Sequence, residues 1–244
     1  MTAQAKSRLD RLLVERGLVA TREKAQALIM AGAVLVDGAK LDKPGHAVDA
    51  GCRLELLKGL RYSSRGGLKL EAALDRFKID VAGRVCLDVG ASTGGFTDCL
   101  LQRGAARVHA IDVGKGQLDW KLRNDPRVKV QEGINARYLT REDVGESVTL
   151  AVCDVSFISV TMILGAMVSV LDAPQEMVVL VKPQFEVGRG QVGKGGIVRD
   201  PALHLAACRK VTGAVRALGF ETDIMESPIL GTEGNKEFLL YAHH

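Results

Sequence analysis

The chain has 244 residues, of which 47% are hydrophobic and 25% charged, an ordinary globular composition with room for one substantial core and a small second domain. Its five cysteines, Cys52, Cys86, Cys99, Cys153 and Cys208, form no C-x-x-C pair, which argues against a disulfide frame or a zinc site and for reduced thiols in a cytoplasmic protein. The formal charge of +4 is uneven: residues 1–70 carry a net +6 and the remainder −2, the pattern of a polyanion-binding module joined to a near-neutral domain.

The N-terminus runs directly into a charged amphipathic pattern, with no signal peptide in view. Arg8-Leu9-Asp10-Arg11-Leu12-Leu13 predicts a short helix stopped at Gly17, and Thr21 predicts the cap of a second helix, Arg22 to Ala31. Val34-Leu35-Val36 reads as a strand entering an Asp37-Gly38 turn, and Leu54-Glu55-Leu56 as another short strand. The pattern R-L-D-x-x-L-x-x-x-G, then T-R-x-x-A-x-x-x-I-x-x-G-x-V-x-V-D-G, resembles the S-four-type RNA-binding domain over residues 6–58. That resemblance implies that Arg8, Arg11, Arg22 and Lys24 present cations to RNA phosphates, with Lys40 and Lys43 supporting from the following loop. No aromatic residue precedes Tyr62, so contacts to a folded RNA backbone are expected here in place of base stacking.

The expected domains are 1–58 and 65–244, with residues 59–64 as a polar connector. Beyond it strands are predicted at 84–90, 107–113, 128–132, 148–153, 176–182, 220–226 and 237–242, and helices near 67–76, 95–103, 116–123, 158–170 and 201–218. This alternation predicts an α/β fold with a mostly parallel sheet covered on both faces, one of the last two strands running antiparallel. The longest uncharged run, Val155 to Leu171, is too short to span a bilayer and reads as a buried helix.

The most informative stretch is Val85-Cys86-Leu87-Asp88-Val89-Gly90-Ala91-Ser92-Thr93-Gly94-Gly95-Phe96, followed by Val108-His109-Ala110-Ile111-Asp112-Val113. A strand enters a loop of small residues, a helix opens, and the next strand ends in an acid able to accept hydrogen bonds from two ribose hydroxyls. Because the spacing is not G-x-G-x-x-G, a nicotinamide oxidoreductase is the weaker enzyme reading. The loop resembles the first motif of S-adenosylmethionine-dependent methyltransferases and, so read, assigns Asp88, Gly90, Ala91, Ser92, Gly94, Gly95, Phe96, Asp112 and Val113 to the cofactor.

Four ionisable residues stand in apolar or strand-end settings: Lys69, Asp154, Lys182 and Glu237. At the carboxyl ends of parallel strands, Asp154 and Lys182 would meet in the crevice that the glycine loop lines. As an ordered Lys-Asp-Lys-Glu set they resemble the tetrad of FtsJ-like ribose 2′-O-methyltransferases, and with the N-terminal domain the whole chain resembles the hemolysin A/TlyA family of rRNA methyltransferases. The fold so implied is a Rossmann-like methyltransferase sheet, and the activity is methylation of cytidine in small-subunit rRNA, large-subunit rRNA or both. The same resemblance adds Asn135, Asp154 and Phe157 to the cofactor site and Arg65, Arg189 and Lys194 to the RNA contacts. Asn135 stands where an aspartate often contacts adenine.

A ribose hydroxyl is a poor nucleophile and a methyl sulfonium a good electrophile, so the enzyme must position and deprotonate, with no need for a metal. Lys182 is the candidate base, assisted by the nearby cation Lys69 and oriented by Asp154, while Glu237 and Lys69 would hold the hydroxyl. The loop Gly188 to Gly196 reads as too glycine-rich to be rigid and could close over RNA. A non-catalytic assembly factor would have little use for all four residues of the tetrad, and a membrane-active hemolysin would need a spanning or amphipathic segment that the sequence does not display.

Overall fold

The computed structural model describes residues 6–30, 32–56, 61–231 and 234–244. The chain forms two compact units, Met1–Arg65 and Gly66–His244. The expected connector at 59–64 therefore begins outside the described residues, as does the end of the second predicted helix at Ala31.

In the first unit, β1 (Lys6–Arg8) leads into α1 (Leu9–Glu15), and α2 (Arg22–Met30) follows. Gly17 turns the chain at φ 67°, and Thr21 Oγ1 accepts from Lys24 N at 3.2 Å to cap α2. Then come β2 (Val34–Val36), β3 (Ala39–Lys40), β4 (Ala47–Asp49) and β5 (Leu54–Leu56). The strands form a β3-β2-β5 sheet and a separate β1-β4 pair, all antiparallel. Asp37 and Gly38 both have positive φ, as a tight two-residue hairpin turn requires. Leu9, Leu13, Ala25, Ile29 and Val34 meet at the centre and are fully buried. Strands β1, β3 and β4 were not expected, being too short to show a period of two.

The second unit runs α3 (Gly66–Phe77), β6 (Val85–Val89), α4 (Gly95–Gln102), β7 (Arg107–Asp112), α5 (Trp120–Arg123), β8 (Val128–Glu132), α6 (Arg141–Val144) and β9 (Leu150–Cys153). It continues with α7 (Leu164–Ser169), β10 (Glu176–Val181), α8 (Pro183–Glu186), α9 (Pro201–Arg216), β11 (Glu221–Glu226) and β12 (Phe238–His243). The sheet order is β11-β12-β10-β9-β6-β7-β8, and β12 is antiparallel to both neighbours. The chain leaves β6 toward β7 on one side and returns to β9 on the other, so the sheet has its switch point between β6 and β9, where α/β folds open a crevice. Strands β6, β9 and β10 are almost wholly apolar because both faces of the sheet are covered there.

Two helices differ from expectation. The helix predicted over 158–170 is a 3-10 turn, Val160–Met162, followed by the short α7. The buried Glu186 carboxylate draws in Ser159 Oγ at 2.5 Å and Val160 N at 2.7 Å, which takes the start of that segment out of the helical ladder. The helix predicted over 116–123 begins only at Trp120, because Gly116 has φ 72° and Asp119 caps the turn through Lys121 N. Among the described residues no helix is long and apolar enough to cross a membrane, and the five cysteines are free thiols.

Candidate active site

The glycine loop is held from two sides. Gly90 N and Ala91 N donate to the Ile111 carbonyl at 2.8 and 3.1 Å, tying the end of β6 to the end of β7. The Asp112 carboxylate then accepts from Ser92 N at 2.8 Å and Gly114 N at 2.7 Å. Gly90 has φ 83°, and a Cβ there would stand 2.7 Å from the Asp154 carbonyl oxygen, so only glycine lets β6 and the segment after β9 approach this closely. Gly94, at φ 93°, opens α4.

A cavity of about 440 Å³ lies against this loop, within the range of small-ligand sites. Of the residues expected at a cofactor, Gly90, Ser92, Asp112, Val113, Asn135, Asp154 and Phe157 line it. Ala91, Gly94, Gly95 and Phe96 do not; Phe96 is buried, and all four shape the loop from behind. Asp88 does not line it either: its side chain is fully buried and accepts from Thr97 Oγ1 at 2.6 Å, which pins the start of α4. Burial, with the charges of Asp154 and Asp112, pushes its carboxyl up to about 7. Asn135 Oδ1 accepts from Arg137 N at 3.1 Å and so caps a 3-10 turn at the cavity wall. The sequence reading missed Gly114, Gln117, Ile134, Ala136, Ser156 and Ile158, which also line the cavity. Position alone could have found the apolar ones, since Ile134 and Ala136 follow the carboxyl end of β8 and Ile158 follows that of β9.

The four ionisable residues resolve into two ion pairs. Lys182 Nζ lies 2.5 Å from Asp154 Oδ1 and donates to Ser156 Oγ at 2.8 Å. Lys69 Nζ, from α3, lies 2.5 Å from Glu237 Oε2, with both residues buried. Val181 pairs with Phe238 across β10 and β12, so Lys182 and Glu237, one residue beyond, leave adjacent strands at the same level. Lys69, expected as a second cation near Lys182, has its charge answered by Glu237. Lys182 Nζ also stands 6.0 Å from the Phe185 ring centroid, and Phe185 lies 5.5 Å from the ring of Phe157. Phe157 has φ 68° and is 88% exposed, an apolar ring held in a costly backbone conformation at the rim of the cavity. Burial pushes the Cys153 thiol up, so no thiolate nucleophile adjoins Asp154.

The residues expected to meet RNA divide between the two units. Arg8, Arg11, Arg22, Lys24, Lys40 and Lys43 are exposed in the first unit, with Arg8 and Arg22 bonded to Asp10. Arg65, the last residue of the first unit, is half-buried; in the second unit's glycine-rich loop Lys194 is exposed and the side chain of Arg189 lies outside the described residues. The glycine-rich loop forms 3-10 turns at Arg189–Gln191 and Lys194–Gly196, and Asn235 bonds to Gly196 O and Val198 N. Among the described residues no three His, Cys, Asp or Glu side chains gather as a metal site.

Comparison with known proteins covers both units. The FtsJ-like methyltransferase family matches residues 62–244 and the S4 domain matches residues 7–53. The chain is 49% identical over 239 residues to the 16S/23S rRNA (cytidine-2′-O)-methyltransferase TlyA of Mycobacterium tuberculosis, covering 97% of this chain and 89% of that protein. It is 43% identical over 236 residues to Hemolysin A of Brachyspira hyodysenteriae, covering 96% and 98%. Among solved structures, a candidate hemolysin of Streptococcus thermophilus superposes with a TM-score of 0.77 at 46% identity, covering 99% of this chain and 89% of that one.

Proposed function

Because this chain belongs to the FtsJ-like methyltransferases, here joined to an S4 domain, we propose that it transfers a methyl group from S-adenosylmethionine to a ribose 2′-hydroxyl of ribosomal RNA in the cytoplasm. The target is a cytidine of the small subunit, the large subunit or both, as named for the M. tuberculosis relative. One observation carries the reading: Asp154 both lines the cavity beside Gly90 and Asp112 and pairs with Lys182, so a cofactor pocket and a proton-handling group share one side chain.

The cavity suits the cofactor. Asp112 offers an acceptor for ribose hydroxyls, Ile134, Ala136 and Ile158 offer apolar surface for a flat base, and the Gly90–Ser92 turn lets a ligand approach the backbone. When bound, S-adenosylmethionine supplies a methyl group already activated by its sulfonium. The protein's own part is to place a hydroxyl and handle its proton. Asp154 and Ser156 fix Lys182 Nζ at the cavity edge, where it takes the 2′-hydroxyl proton; Asp154 then stabilises the resulting ammonium. The buried Lys69–Glu237 pair, at the same level of the sheet, holds the hydroxyl in line. Phe157 presents an exposed apolar face to the incoming nucleotide. The cations Arg8, Arg11, Arg22, Lys24, Lys40 and Lys43 of the first unit, with Arg65, Arg189 and Lys194, supply phosphate contacts that set register on folded RNA.

The decisive experiment incubates the purified protein with S-adenosylmethionine and unmethylated ribosomal subunits and maps 2′-O-methylation along both rRNAs. A modified cytidine that disappears with Lys182→Ala is the expected result. Unmodified rRNA despite bound protein would favour the assembly-factor reading instead.

A further inference from the structure

Asp10 is fully buried, yet its carboxylate collects charge-assisted bonds from side chains that reach the surface. Arg8 grips it with two donors, Nε to Oδ1 and Nη2 to Oδ2, both at 3.0 Å. Arg22 Nε reaches the same Oδ2 at 2.8 Å, and Gln26 Nε2 reaches it at 3.0 Å. Asp10 N is itself fixed by the Pro44 carbonyl at 3.1 Å. These bonds, led by Arg8, hold the Asp10 carboxyl well below the usual carboxylate range, so it stays charged. The two arginine side chains are 45% and 44% exposed. A guanidinium has five N–H donors in a fixed fork, and three of the ten point at Asp10, leaving most of them for a ligand outside.

We propose that Asp10 is the positioning residue of a phosphate clamp. It brings the guanidiniums of Arg8, from β1, and Arg22, from α2, together on one carboxylate oxygen and aims their remaining donors at backbone phosphates of the RNA. This rests on the reading of the first unit as an RNA-binding module and adds to it the group that organises the module's grip. An arginine free in solvent loses its rotamer freedom when it binds. These two have already lost it, so binding is tighter for the same charge. The geometry and simple charge counting then predict opposite signs. Arg8, Arg22 and Asp10 together carry +1, and neutralising Asp10 raises the local charge, which by charge alone strengthens attraction to a polyanion. By geometry it replaces one of the two acceptor oxygens with an N–H donor, so the carboxylate fork that holds both guanidiniums is lost and binding weakens.

The test measures binding of the full-length chain to purified rRNA across a salt series. Asp10→Asn should bind about ten-fold more weakly, with a salt slope flatter by about one, as for the loss of one phosphate contact. Tighter or unchanged binding by Asp10→Asn, in a protein that melts as the wild type does, overturns the proposal. Should Asp10→Asn unfold the unit, Arg22→Lys decides: it keeps the charge and loses the Nε fork, so a clamp predicts several-fold weaker binding and charge counting predicts none. The Arg8→Ala, Arg22→Ala double variant separates the two readings. If it binds rRNA as tightly as the wild type, the RNA-binding role of these arginines fails; if it weakens while Asp10→Asn tightens, the clamp alone fails.

Discussion

Gly90 and the backbone carbonyl of Asp154 are so close that the smallest side chain would stand between them at 2.7 Å from the oxygen. The contact joins the cofactor loop to the segment carrying the partner of Lys182, and Gly90 holds it at φ 83°. Gly90→Ala should therefore act twice, costing about 1–3 kcal/mol of stability through backbone strain and pushing the loop from Asp154. Calorimetry should show S-adenosylmethionine binding lost under conditions where circular dichroism still shows a folded chain. Normal affinity in the variant would mean that the loop tolerates the displacement.

Asp112 is the proposed ribose acceptor, and its carboxylate already takes N–H donors from Ser92 and Gly114. Asp112→Ala should weaken S-adenosylmethionine binding about 10–100-fold, the worth of one or two hydrogen bonds to a charged group. Asp112→Asn should lose less, because an amide oxygen still accepts. Equal losses would show that the carboxylate charge, and not its hydrogen bonding, matters.

Burial raises the Asp88 carboxyl to about 7 in the folded protein, against 3.8 when exposed. The folded state thus holds a proton that the unfolded state has released between those values. Stability falls as pH rises through this window, by on the order of 4 kcal/mol for the full shift. Below pH 3.8 the contribution is fully present, and above pH 7 it is gone. Asp88→Asn, which keeps an acceptor for Thr97, should lose this slope and gain on the wild type above neutral pH. Denaturant titrations at pH 5 and pH 8 check it, and a pH-independent difference between the two proteins would mean that Asp88 is not the titrating group.

Much of the second unit was legible because its central strands are continuous apolar runs bounded by glycines, and because the Gly90 loop and Asp112 are local in sequence. Features made by long-range pairing were not legible. Residues Lys6–Arg8 become a strand only because Ala47–Asp49 lies beside them. The break in the predicted 158–170 helix is imposed by Glu186, 26 residues from the Val160 amide that it binds. In the site, the strand-end rule brought Asp154 and Lys182 together, but no spacing announces that Lys69 pairs with Glu237 across 168 residues, or that Ser156 shares Lys182. In Arg8 and Arg22 the sequence showed the cations but not the buried carboxylate beneath them.

The two compact units imply a division of labour. A chain beginning at residue 61 should fold and bind S-adenosylmethionine while methylating structured rRNA at least ten-fold more slowly at physiological salt, because phosphate contacts supply much of the affinity and set the register. Raising RNA concentration should recover part of the rate. If truncation leaves the rate at limiting RNA unchanged, the first unit is not the source of RNA affinity.

Lys182 can act in two ways. As an ammonium held by Asp154 and Ser156 it would steady a developing oxyanion, and as a free amine it would remove the proton of the 2′-hydroxyl. The base role requires an amine free of its proton when the ribose hydroxyl arrives, and Asp154, 2.5 Å away, then holds the ammonium that forms. Substitution separates the two. Lys182→Ala removes both roles and should abolish transfer while leaving cofactor and RNA affinity nearly intact. Lys182→Arg keeps the charge and the ion pair but is not deprotonated in the accessible range, so proton abstraction predicts that it fails as completely as alanine. Lys69→Ala, Asp154→Ala and Glu237→Ala should each slow turnover, and each should add little on top of Lys182→Ala, as expected of groups acting as one unit. Single-turnover transfer at saturating rRNA reads the outcome: if Lys182 is the base, transfer should vanish in Lys182→Arg. Near-normal transfer by that variant would assign Lys182 to electrostatic support and leave the proton to solvent.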